Sequence, residues 1–129
     1  MRKLNILLIE DNQNDLFIIE AALKRIELGY TVTIVHDGRQ AITYLETLGT
    51  ELPHLILLNL DLPSVSGADV RAYIRMQSHL RRIPLVIISG FEKPTSVNED
   101  VFVPKMSNFG DFVIRLQRAI TRCLAAIQV

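Results

Sequence analysis

Three short aliphatic runs constrain this chain more than any other feature: residues 3–9, 55–58 and 85–88. Each is too short for a helix, and none keeps an apolar–polar alternation: the first opens Lys3-Leu4-Asn5 and then runs from Ile6 to Ile9 without a break. Uninterrupted runs of this kind read as strands buried on both faces, the pattern of a parallel sheet with helices on either side. The intervening stretches carry helical spacing. Leu16, Ile19, Leu23 and Ile26 mark a first helix that stops at Gly29, and Ala41, Ile42, Leu45 and Leu48 mark a second that ends at Gly49. Asp37-Gly38 reads as the turn before it. Ser66 with Asp69 resembles a capping box ahead of Val70, Tyr73 and Ile74. Asn108 with Asp111 opens a last helix whose apolar face is Phe112, Val113, Leu116, Ile120, Cys123, Leu124 and Ile127. Residues 31–35 are β-branched and form the second strand; residues 101–103 form a weak fifth. The pattern predicts an α/β three-layer sandwich with a five-stranded parallel sheet.

With 129 residues, the chain has the length of one domain. Fourteen basic residues balance fourteen acidic ones, which argues against a dedicated nucleic-acid binder. No apolar run approaches the roughly 20 residues of a membrane span, and the amino terminus lacks a signal-peptide pattern. One cysteine makes no internal disulfide; the expected setting is the cytoplasm. The neutral total hides a polarity. Residues 1–61 hold 5 basic and 9 acidic residues, and residues 62–129 hold 9 and 5. Such a distribution suits docking to a protein partner.

Ligands of open parallel sheets sit beyond the carboxyl ends of the strands. The residues there are Glu10, Asp11, Asn59, Ser89 and Lys105. Glu10 and Asp11 are adjacent acids that repel each other and suit a hard cation such as Mg²⁺. The plainer alternative is that Asp11 caps the first helix. His36, His54 and His79 read as separate surface residues rather than a metal set. Cys123 reads as a small core residue.

Glu10-Asp11-Asn12 after the first run, His36-Asp37-Gly38 with Ala41, Asn59-Leu60-Asp61-Leu62-Pro63 with Gly67, Ser89 after the fourth run, and Phe102-Val103-Pro104-Lys105 occur in that order. Together they resemble the receiver domain of two-component response regulators, along the whole chain. The resemblance implies the flavodoxin-like receiver fold. It implies an aspartate ending the third strand that accepts a phosphoryl group from a histidine kinase. It implies Mg²⁺ held by Glu10, Asp11 and the backbone carbonyl of Asp61, phosphoryl oxygens bound by Ser89 and Lys105, and a switch aromatic at Phe102.

Asn59 stands where that acceptor would be. A carboxylate attacks phosphorus to give an acyl phosphate; a neutral carboxamide does not do so usefully. The substitution also weakens the Mg²⁺ site and relieves repulsion beside Glu10 and Asp11. Lys105 is followed by Met106 rather than by the family's proline. Residues 90–100 offer about eleven positions, interrupted by Pro94, so the fourth helix of the family is expected to be short or missing. Lys105 is expected to pair with Glu10, Asp11 or Asp61.

The sequence therefore reads as a degenerate receiver: a single domain with no output domain, not an enzyme, acting by protein–protein interaction. The expected partner is a histidine kinase or another two-component protein, with no nucleic acid and no membrane, and the expected state is a monomer or weak homodimer. Two alternatives stand beside this reading. One is a phosphate-switched receiver, with Asp61 as acceptor or with Asn59 as an engineered replacement of Asp. The other is a small flavin-binding protein or enzyme on the same layer plan.

Overall fold

The computed structural model describes residues 3–90, 101–106 and 108–126. Its elements run β1 (Leu4–Ile9), α1 (Gln13–Leu23), β2 (Tyr30–Val35), α2 (Gly38–Glu46), β3 (Leu55–Asn59), α3 (Gly67–Met76), β4 (Leu85–Ser89), β5 (Val101–Pro104) and α4 (Phe109–Ala125). The five strands form one parallel sheet in the order β2-β1-β3-β4-β5. The chain moves outward from β1 to β2, then returns past β1 to β3. The strand order therefore reverses between β1 and β3, which opens a crevice beyond their carboxyl ends.

The aliphatic runs serve two cores at once, because successive strand side chains point to opposite faces. Leu4, Ile6 and Leu8 of β1 pack with α1 and α4, through Leu16, Ile19, Phe112, Leu116 and Ile120. Leu7 and Ile9 face the other way, onto α2 and α3, with Ala41, Leu45, Val70 and Ile74. All five residues of β3 and all five of β4 are buried. That is why these runs show no polar alternation.

Each helix starts on a side chain that accepts a hydrogen bond from the backbone N–H three residues on: Asn12 from Asp15, Asp37 from Gln40, Ser66 from Asp69 and Asn108 from Asp111. These caps satisfy N–H groups that have no partner within the helix. Asn12, not Asp11, caps α1.

The structure corrects several expected boundaries. α1 ends at Leu23 with Lys24 as its cap, well before Gly29; Ile26 packs on the core from outside the helix. α2 ends at Glu46 rather than Gly49, and Leu48 likewise packs from beyond its end. In both cases apolar residues continue the helical spacing after the hydrogen bonds have stopped. Asp37 and Gly38 cap and open α2 rather than forming a separate turn. β3 and β4 each reach one residue further, so Asn59 and Ser89 belong to the sheet. Four helices are present among the described residues. The expectation of a short or missing fourth helix falls on residues 91–100, which lie outside the described residues, as does Ile127.

Gly67 ties α3 to the end of β3. A Cβ there would stand inside van der Waals contact with the Asn59 carbonyl oxygen and the Leu60 Cα. Gly67→Ala is expected to lower stability by roughly 1–3 kcal/mol. The shift is read as a lower urea midpoint with an unchanged slope. An unaltered midpoint would show that the turn after Asn59 has room to move.

Candidate functional site

The carboxyl edge of the sheet gathers residues distant in sequence. Glu10 and Asp11 follow β1, Asn59 ends β3, Ser89 ends β4 and Lys105 follows β5. Glu10, Asn59 and Ser89 are buried, whereas Asp11 is exposed. Lys105 is held in place from its backbone, where its N–H donates to the Ser89 carbonyl at 2.8 Å.

Asn59 sits at the centre. Its Nδ2 donates to Glu10 Oε2 at 2.7 Å and lies 3.4 Å from Asp11 Oδ1. Its Oδ1 accepts from the Asp61 backbone N–H at 2.8 Å. The network dictates the amide's orientation: two carboxylates face one side and an N–H faces the other. An aspartate here would press a third carboxylate against Glu10; the amide turns that repulsion into donated hydrogen bonds.

Glu10 is the most constrained acid. Oε2 also accepts from the backbone N–H groups of Asp11 and Asn12, at 3.1 and 3.2 Å. Oε1 is buried without a hydrogen-bond partner among the described residues. Burial pushes the Glu10 carboxyl up to about 7, and the charge of Asp15 adds to the rise. The Asn12 N–H, the Lys105 charge and the Asn59 bond pull the other way without prevailing.

The other half of the site is organised by Asp61. Ser89 Oγ donates to Asp61 Oδ1 at 3.2 Å, and the Gly90 N–H donates to Oδ2 at 2.9 Å. Lys105 Nζ lies 3.5 Å from the same Oδ2 and 2.8 Å from Asp15 Oδ2. Burial disfavours the Lys105 charge, but the Asp15 hydrogen bond and the charges of Asp15, Glu10 and Asp61 outweigh it, and the ammonium pKa rises.

The structure thus brings together Glu10, Asp11, Asn59, Asp61, Ser89 and Lys105. Phe102 stands apart, half-buried against the α2–α3 core. Lys105 does pair with Asp61, but its closest partner is Asp15, which the sequence reading missed. The available signal was spacing, since Asp15 lies in the first turn of a helix that begins just after Asp11. Gly90 was missed because a backbone N–H leaves no trace in residue type. His54 Nδ1 accepts from the Asn5 N–H at 2.9 Å, at the opposite end of the sheet from His36. The histidines form no metal set among the described residues. Cys123 is buried in the α1–α4 core as expected.

Glu10 and Asp11 are the carboxylates placed to hold a cation, but Asn59 Nδ2 faces both and Glu10 Oε2 already accepts three N–H groups, so these oxygens would have to exchange donors for a metal.

The profile of the family described as "Response regulator receiver domain" matches residues 6–109. Response regulator Rcp1 of Synechocystis sp. is 36% identical over 99 residues, which span 74% of this chain and 64% of that protein. Among solved structures, the phosphorylated cyanobacterial phytochrome response regulator RcpA superposes with a TM-score of 0.87 at 27% identity, covering 98% of both chains. The Mn²⁺-bound form of Rcp1 superposes with a TM-score of 0.84 at 27% identity, covering 97% of both.

The position of Glu10 sets a pH dependence. Unfolded, this carboxyl titrates near its ordinary value; folded, it holds its proton up to about 7. The native state therefore binds more protons in that interval, and stability falls as pH rises through it. The loss is at most about 3 kcal/mol and levels off above neutrality. Urea midpoints measured from pH 4.5 to 8 should fall in the wild type and stay nearly level in Glu10→Gln. Parallel curves for the two proteins would assign the slope to another group.

Proposed function

This chain belongs to the response regulator receiver domain family, and on that footing we propose that it is a receiver that signals without accepting a phosphoryl group. It acts by binding a protein partner, a histidine kinase or another two-component protein. One observation carries the reading. The acceptor position holds Asn59, a neutral amide whose nitrogen is engaged with Glu10 and whose oxygen is engaged with the Asp61 N–H. Neither atom is an available nucleophile, and a carboxamide oxygen is a poor one in any case.

The same geometry supports a weakened Mg²⁺ site. Hard cations follow the number of charged oxygens offered to them. Only Glu10 and Asp11 remain of the acidic set, and both face an N–H donor. The Asp61 carbonyl, Ser89 and Lys105 are the remaining family positions, with Phe102 as the switch aromatic.

We read the chain as a single signalling domain rather than an enzyme. No helix among the described residues is long and apolar enough to cross a membrane, which is compatible with a cytoplasmic setting. The charge polarity of the two halves supports a protein partner over nucleic acid.

Incubation with a small-molecule phosphodonor and Mg²⁺ should leave the intact mass unchanged, while Asn59→Asp gains one phosphoryl adduct. An adduct on the wild type would sink the reading, and its loss in Asp61→Ala would name Asp61 as the acceptor. Asn59→Asp should also tighten Mg²⁺ binding by about tenfold or more, since it restores a charged oxygen. Mg²⁺ titrations followed by amide chemical shifts measure this; equal affinities would show that Asn59 already serves as a ligand.

A further inference from the structure

Two neighbouring hydrogen-bond donors at the end of β4 and an ammonium after β5 converge on one carboxylate. The hydroxyl of Ser89, the N–H of Gly90 and the ammonium of Lys105 all point at Asp61, whose own segment follows β3. A hydroxyl, a backbone amide and a lysine make a cradle for any oxyanion: they supply directed donors and one positive charge. Both Asp61 oxygens are used, Oδ1 by Ser89 and Oδ2 by Gly90 and Lys105.

We propose that the Asp61 carboxylate is the built-in ligand of this receiver's phosphoryl-oxygen cradle, keeping Ser89, Gly90 and Lys105 engaged and shutting out external oxyanions. The inference deepens the phosphate-independent reading above and rests on it. The negative charge missing at Asn59 reappears two residues later, attached to the chain rather than delivered by a phosphodonor. Asn59 helps deliver it, because its Oδ1 anchors the Asp61 N–H at 2.8 Å. Asp15 steadies the far side of Lys105 at 2.8 Å, so the ammonium bridges α1 and the Asp61 segment. The carboxylate thereby ties the ends of β4 and β5 to the loop after β3 without any added group.

Inorganic phosphate titrated into ¹⁵N-labelled protein tests this through the amide signals of Gly90 and Lys105. The wild type should not respond. Asp61→Ala should shift the resting Gly90 signal, which should then move further with phosphate, at concentrations at least about tenfold below any that move the wild-type signal. Adding Lys105→Met to that variant should abolish the response. Asp61→Asn keeps the side chain's size and serves as a folded companion, with a response between the two. A wild-type Gly90 signal that moves with phosphate as readily as the variant's overturns the proposal, as does a variant that binds no phosphate. Covalent labelling of the wild type would instead defeat the phosphate-independent reading, and intact mass reports that separately.

Discussion

The 2.7 Å hydrogen bond from the Asn59 amide to the buried Glu10 carboxylate is the contact on which the whole carboxyl edge is arranged. It brings a neutral donor to a place where a third acid would face two others. Because the amide has two ends, it acts in two directions. Its nitrogen quiets Glu10 and Asp11, and its oxygen fixes the backbone that carries Asp61. The first effect lowers the demand for a cation. The second aims a charged side chain at Ser89, Gly90 and Lys105.

Charge balance in the pocket is consequently internal. Lys105 stands between Asp15 and Asp61, and its ammonium is stabilised against burial by them and by Glu10. Glu10 is the exception: burial outweighs its donors, and Oε1 has no hydrogen-bond partner among the described residues. The helix starts support the same edge. Asn12 and Ser66 cap α1 and α3 next to the site, so the positive ends of those helices lie near its acids.

Much of this was legible from residue order. The unbroken runs Ile6–Ile9 of β1, 55–58 of β3 and 85–88 of β4 announced a sheet buried on both faces, because a strand segment with two apolar faces has no polar positions to show. The starts of α3 and α4 were legible from Ser66 and Asn108, whereas Asp37 looked like part of a turn and the α1 cap fell on Asn12, one residue beyond the acid considered for it. The helix ends were not legible. Ile26 and Leu48 keep the apolar spacing yet pack from outside their helices, and periodicity records which face is apolar, not where the backbone bonds stop.

Residue order and the types at the strand ends were enough to point to the family, the five-stranded plan and the absence of a carboxylate at position 59. These depend on local chemistry: which side chains repel, which cap, and which can attack phosphorus. Which acid meets which donor was settled by the folded arrangement. Asp15 reaches Lys105 across 90 residues of chain, and Asp61 turns its side chain toward Ser89, Gly90 and Lys105. Both outcomes rest on a few ångströms between separate loops, and such distances come into being only when β1, β3, β4 and β5 are brought side by side.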